Sequence, residues 1–127
     1  MINAIILVFI GGALGALGRE FLMLGIPDLS DGFPMPIFVA NVVASFLLGL
    51  ITGLHQRRAV PDDVNTLVGT GVMGGLSTFS SFVYGAVVVM GASATGMTVA
   101  LAYLAASLLI GYAAVWAGYR LGLRGAA

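Results

Sequence analysis

The stretch GGLSTFSSF, residues 74–82, lies in the middle of an apolar run that extends from Asn65 to Met90. Two glycines are followed by four hydroxyl residues and two phenylalanines. Two glycines followed closely by serine and threonine favour an interrupted helix. Interrupted backbone at membrane depth is tolerated only where it is buried in protein or lines a water-filled cavity. The alternative is a kinked but continuous helix that packs through Gly74 and Gly75. The residues alone favour neither interpretation.

The composition indicates a membrane protein. Of the 127 residues, 60% are hydrophobic and 8% are charged, and the mean hydropathy is +1.10. A soluble domain carries roughly 25% charged residues, so this chain could not cover its core in water. The absence of cysteine excludes disulfides and thiolate metal sites. The net charge is near zero and no basic cluster occurs, so we expect no nucleic-acid partner.

Four apolar runs reach the length of about 20 residues that a bilayer-crossing helix needs. We predict an all-α membrane protein in which residues 1–127 form a single domain. The predicted spans are 2–24, 36–55, 66–90 and 97–121, separated by IPDLSDGFPM, QRRAVPDDVN and GASAT. No basic region precedes the first run, so we expect it to be a transmembrane helix and not a cleaved signal peptide.

The arginines predict the orientation of the spans in the bilayer. One side of the predicted bundle carries Arg57, Arg58, Arg120 and Arg124, whereas the opposite side carries only Arg19. Because short cytoplasmic loops hold an excess of basic residues, we expect both termini in the cytoplasm.

Glycines four residues apart occur in three of the spans. The pairs are Gly11 and Gly15, Gly49 and Gly53, and Gly71 and Gly75. Small residues at this spacing let helix backbones approach closely. The pattern predicts close helix packing within a subunit or between subunits, and it gives no information about activity.

Polar residues recur on one face of three spans. Serine and threonine in membrane helices usually bond to their own backbone, but the amide of Asn41 cannot be satisfied in that way. We therefore favour a shared polar track, lined by hydroxyl, amide and aromatic-edge donors that suit a small, strongly hydrogen-bonding anion. No Asp, Glu, Lys or His lies deep in a span, which disfavours a proton-driven exchanger. The residues of the track are Asn41, Ser45, Thr52, Ser77, Thr78, Ser80, Ser81, Tyr103 and Ser107.

Three motifs carry a resemblance to a known family. GALGALGR at 12–19, AN at 40–41 and above all GGLSTFSSF at 74–82 resemble the small four-span fluoride channels of the Fluc or CrcB family, whose third motif is GGLTTFSTF. The resemblance covers nearly the whole chain. It implies an antiparallel, dual-topology dimer with a break in the third helix and two pores. It also implies a function, the passive exit of toxic fluoride across the bacterial inner membrane, and a structural sodium ion at the dimer centre.

The resemblance also implies roles for individual residues. Two departures from the family pattern are visible, since Ile37 stands where a threonine is common and Gly85 where a glutamate is frequent. The pore is implied at Asn41, Phe79, Ser80, Ser81, Phe82, Tyr103 and Ser107, a vestibule arginine at Arg19, and backbone carbonyl ligands for sodium at Gly74 and Ser77.

Other hypotheses remain open beside the homodimeric channel. The departures at Ile37 and Gly85 suit a non-conducting partner subunit, and the arginine bias suits a heterodimer with an oppositely oriented sister chain. A proton-coupled four-span exporter would explain the size equally well but lacks the carboxylate. An enzyme is not expected, because no nucleophile, base and orienting group occur together.

Overall fold

The structure is a computed structural model that describes residues 3–28 and 32–124, and every regular element in these ranges is helical. Four segments are long and apolar enough to cross a membrane, which confirms the predicted all-helical class with four spans. Ile2, where the first span was expected to begin, lies outside the described residues. The elements are α1 (Ala4–Gly25), α2 (Met35–Gln56), α3 (Asp62–Asn65), a π-helix (Thr66–Val72), α4 (Met73–Leu76), α5 (Phe79–Ala92) and α6 (Gly96–Leu123).

The helix ends follow ordinary capping chemistry. Asn3 caps α1, because its side chain accepts a hydrogen bond from the N–H of Ile5 at 2.8 Å. Pro36 lies in the first turn of α2, where its missing N–H costs nothing. The helical structure of the third segment begins at Asp62, four residues before the predicted span, with two carboxylates in the first turn. Negative charge at that position is favoured by the helix dipole.

Two tight helix crossings organise the chain. In one, α1 crosses the π-helix and α4, and a Cβ added at Gly15 would overlap the carbonyl of Val72. In the other, α2 crosses α6, and a Cβ at Gly49 would overlap the carbonyl of Val115. The glycine pattern of the sequence therefore serves packing inside this chain.

The interior is small and apolar. Ala44, Met73 and Leu76 form its centre, where α2 meets α4, and apart from the phenol ring of Tyr103 no polar or charged side chain is buried as a whole within the described ranges. Large apolar side chains such as Phe9, Phe21 and Tyr112 are instead mostly exposed. That distribution suits a chain surrounded by lipid.

Candidate functional site

Helical backbone is absent at two residues of the central motif. Helix α4 ends at Leu76 and α5 begins at Phe79, while Ser77 (φ −76°, ψ 157°) and Thr78 (φ −153°, ψ 121°) are extended. We call these two residues the Ser77–Thr78 linker. Backbone groups in such a linker lose helical partners and need others inside an apolar bundle.

Asn41 supplies partners for the linker from the neighbouring helix α2. The N–H of Thr78 donates to Oδ1 of Asn41 at 2.8 Å, and Nδ2 of Asn41 donates to the carbonyl of Thr78 at 3.3 Å. The amide thus pairs with the backbone of Thr78 as an adjacent strand would. One proton on Nδ2 remains for another acceptor.

Thr78 also starts the following helix. Its Oγ1 accepts a hydrogen bond from the N–H of Ser81 at 3.2 Å, and this is the N-cap of α5. The Oγ of Ser80 lies 3.4 Å from the same oxygen. The cap fixes the first turn of α5, which carries Phe79 and Phe82.

A cavity of about 260 Å³ opens beside the linker. Its wall combines residues from α2, the linker, α5 and α6, and it brings together five of the predicted site residues. The lining residues are Asn41, Ser45, Ser77, Thr78, Phe79, Phe82, Ser107 and Leu108.

Two serines of this cavity differ in their hydrogen bonding. Ser45 donates to the carbonyl of Asn41 in its own helix at 2.7 Å, as is usual for serine in apolar helices. The Oγ of Ser107 is buried and has no hydrogen-bond partner among the described residues. A buried hydroxyl without a partner costs about 1–3 kcal/mol. A bound hydrogen-bond acceptor would remove this cost at Ser107, so Ser107 is the best candidate donor in this wall.

The two phenylalanines of the motif lie in different environments. The ring centroids of Phe79 and Phe82 are 6.2 Å apart, and Phe79 is 78% exposed whereas Phe82 is partly buried. Phe82 meets Tyr103 nearly perpendicularly, with centroids 5.3 Å apart. The hydroxyl of the fully buried Tyr103 donates to the carbonyl of Phe82 at 3.2 Å. Tyr103 therefore lies behind Phe82, outside the cavity wall, and holds it in place.

The predicted cation ligands lie next to the cavity. Ser77 and Gly74 both line a second cavity of about 150 Å³. In a continuous helix the N–H of Thr78 would donate to the carbonyl of Gly74, but here it donates to Asn41. The carbonyl of Gly74 thus loses the donor that a continuous helix would supply, and a backbone oxygen freed in this way is the type of ligand predicted for the cation. No group of three or more His, Cys, Asp or Glu that could hold a metal occurs in the described ranges.

Besides Tyr103 and Gly74, three further predicted residues lie away from the wall of the 260 Å³ cavity. Ser80 is exposed and Ser81 partly buried in the first turn of α5. Arg19 lies on α1 and lines neither of the two cavities. No ion pair joins it to Glu20 or to another acid in the part of the chain that the structure describes. This agrees with the separation of adjacent residues on a helix surface.

Sequence reasoning overlooked the supporting residues of the site. Thr78 and Ser45 belong to the predicted polar track, but no individual role is predicted for them. Local sequence features could have indicated both roles: Thr78 directly precedes a helix and can cap it, and Ser45 lies four residues after Asn41 and can bond to its carbonyl. Phe33 packs its ring against Tyr103 with centroids 5.5 Å apart. It lies in a loop, and no periodicity in the sequence connects it to the site.

The two departures from the family pattern meet in space. A Cβ built on Gly85 would lie 3.6 Å from Cδ1 of Ile37 and 3.5 Å from Cγ of Pro34. The apolar side chain of Ile37 therefore fills the space in front of Gly85, and this side of the bundle next to Phe82 is closed by hydrocarbon.

Comparison with known proteins gives consistent matches. Residues 6–119 match the family "CrcB-like protein, Camphor Resistance (CrcB)". The chain is 56% identical over 122 residues to "Fluoride-specific ion channel FluC 3" of Yersinia pseudotuberculosis, covering 96% of this chain and 90% of that protein. It is 40% identical over 124 residues to "Fluoride-specific ion channel FluC" of Agrobacterium fabrum, covering 96% and 97%.

Another relative is much longer. "Fluoride-specific ion channel FluC 2" of Brucella melitensis is 55% identical over 126 residues, which are 99% of this chain but 47% of that protein. The chain thus spans about half the length of this relative.

Proposed function

The chain belongs to the CrcB-like family, and we propose that it forms a fluoride-selective channel through which toxic fluoride leaves the cytoplasm by passive, electrodiffusive flow. The family is one of ion channels, so the chain is not an enzyme. The observation that carries the proposal is the unpartnered hydroxyl of Ser107 in a cavity shared with Asn41 and Phe82.

The chemistry of the cavity suits fluoride. A small anion loses strong hydration on entering a bundle and needs hydrogen-bond donors to replace it. The O–H of Ser107 and the remaining Nδ2 proton of Asn41 can provide them. The edges of the Phe79 and Phe82 rings carry partial positive charge and add weaker contacts.

We further propose an antiparallel dimer with two pores and a structural sodium ion at its centre. Phe79 is 78% exposed, and no atom lies within 4 Å of a Cβ added at Gly74. Both residues are therefore accessible to a second copy of the chain. Sodium held by the carbonyls of Gly74 and Ser77 would offset the partial negative charge of the helix end at α4. We place this dimer in the bacterial inner membrane.

The test is fluoride release from liposomes that contain only this purified chain, with potassium flow allowed to balance charge. We expect fast release that chloride does not reproduce and that does not depend on a pH gradient. Release that requires a pH gradient would favour a proton-coupled exporter instead.

A second candidate is a non-conducting partner subunit of a heterodimeric channel. The position of Ile37 favours it, because its Cδ1 would lie 3.6 Å from a Cβ built on Gly85 and hydrocarbon therefore closes this side of the bundle. In this case the chain alone releases no fluoride, and co-expression with an oppositely oriented sister chain restores release. Tags on the termini distinguish the two dimers, since a homodimer requires this chain in both orientations.

A further inference from the structure

A crevice lies between α2 and α6, at the end of the bundle that carries most of the arginines. Its apolar part has a volume of about 350 Å³, and its polar part about 820 Å³. Thr52 lines both parts, and the hydroxyl of Tyr119 from the apolar part donates to Oε1 of Gln56 in the polar part. The two parts therefore form one continuous groove, which we call the α2–α6 crevice.

The apolar part is concave because two glycines bring the helices together. A Cβ on Gly49 would overlap the carbonyl of Val115, and one on Gly118 would overlap the carbonyl of Phe46. Leu48 of α2 and Trp116 of α6 line the two sides of this close crossing, and Trp116 is 54% exposed. The shape is that of a trough for a hydrocarbon chain.

The polar part carries an arginine without a partner. Arg58 lines it, and its side chain makes no hydrogen bond or ion pair with any described residue. The one acid of the lining, Asp62, lies 3.4 Å from Nε2 of His55. Beside the apolar part, the guanidinium carbon of Arg120 lies 5.2 Å from the centre of the Trp116 ring. Positive charge thus exceeds negative charge around the crevice.

We propose that the α2–α6 crevice binds an anionic phospholipid, with an acyl chain between Leu48 and Trp116 and the phosphate at Arg58. Apolar shape alone does not select such a lipid. The surface formed by Ala4, Ile5, Val8 and Phe9 is also concave, at about 430 Å³, but has no charged residue in its lining. That surface serves as an internal control.

The experiment is native mass spectrometry of the full chain, released from detergent after equilibration with dioleoyl phosphatidylglycerol or dioleoyl phosphatidylcholine. We expect preferential retention of phosphatidylglycerol. Arg58→Asn should reduce this retention about fivefold, the factor that corresponds to ~1 kcal/mol per basic residue near a membrane surface. Asparagine is chosen because Arg58 has a φ of +61°, in the left-handed region that asparagine tolerates.

Matched variants separate the crevice from general surface charge. Arg124→Asn removes an arginine at the same end that does not line the crevice, and it should leave the preference intact. Trp116→Ala should lower retention, whereas Phe9→Ala on the control surface should not. Equal retention of both lipids, or equal losses in Arg58→Asn and Arg124→Asn, would overturn the proposal. So would a loss of dimer mass in Trp116→Ala without loss of lipid, because a second copy would then occupy the crevice.

Discussion

At the scale of single residues, Ser107 and Ser45 form a natural pair for testing the cavity. Both line it, but Ser45 is satisfied by the carbonyl of Asn41 while Ser107 has no partner. Ser107→Ala should raise the free energy of unfolding by about 1 kcal/mol, since an unpaired buried hydroxyl is removed. Fluoride release should fall roughly five- to tenfold, the equivalent of one lost hydrogen bond.

The control is Ser45→Ala, for which we expect nearly unchanged release. Thermal unfolding in detergent and liposome release measure the two effects separately. Equal release in both serine variants and the parent chain would mean that the hydroxyl of Ser107 does not contact the ion.

A negative charge at Asn41 tests whether the ion path passes this residue. In Asn41→Asp, one oxygen still accepts from the N–H of Thr78, but the other faces the carbonyl of Thr78 where Nδ2 donated. We expect the free energy of unfolding to fall by about 1–3 kcal/mol and fluoride release to be lost, because a carboxylate repels an anion. Asn41→Ala removes the same contacts without adding charge, so its residual release should be higher. Normal release in Asn41→Asp would place the ion path elsewhere.

The phenylalanines have separable roles. Phe82→Ile removes the ring that contacts both Phe79 and Tyr103, and Phe79→Ile removes an exposed ring. We expect lower fluoride release in each variant with the dimer retained, as measured by release assays and size-exclusion chromatography. Unchanged release in both variants would count against a pore along these rings.

At the scale of helices, substitutions at two neighbouring glycines of α1, Gly11 and Gly12, should change the stability of the fold in opposite directions. Gly11 abuts the π-helix, and a Cβ there would overlap the carbonyl of Leu67, whereas a Cβ on Gly12 would meet nothing closer than 3.9 Å. Gly11→Ala should force the helices apart and lower stability by about 2 kcal/mol or more. Gly12→Ala should be neutral or stabilise by up to about 1 kcal/mol through helix propensity. Unfolding midpoints in detergent measure both, and similar midpoints would contradict this packing.

At the scale of the whole molecule, the open side of α4 can be blocked without disturbing the chain itself. Neither Gly74 nor Gly91 has an atom within 4 Å of an added Cβ. If a second copy packs at the linker, Gly74→Trp should abolish the dimer and fluoride release, while Gly91→Trp at the end of α5 should preserve both. Cross-linking in liposomes reports the dimer. A dimer that survives Gly74→Trp would require a different interface.

The class of the molecule and the four membrane-spanning segments could be predicted from the amino-acid sequence. Apolar runs of bilayer length, with the charged residues in the connections or near the ends of the runs, predict four helices, because a helix satisfies its own backbone hydrogen bonds in hydrocarbon. The polar pattern also predicted that Asn41 and the hydroxyls of residues 74–82 need partners, since an amide and clustered hydroxyls in an apolar run cannot all bond to their own helix.

The partners of these polar groups could not be predicted from the sequence, because they depend on contacts between helices. The distance along the chain from Asn41 to Thr78 is 37 residues, and no local pattern specifies that the amide pairs with that peptide group. The same holds for Tyr103 behind Phe82 and for Ile37 in front of Gly85. It holds also for Ser107, whose buried hydroxyl has no partner among the described residues, whereas that of Ser45 bonds to its own helix. The periodicity of a sequence shows which residues share one face of a helix. Which faces then contact each other depends on how closely the glycines allow the helices to approach.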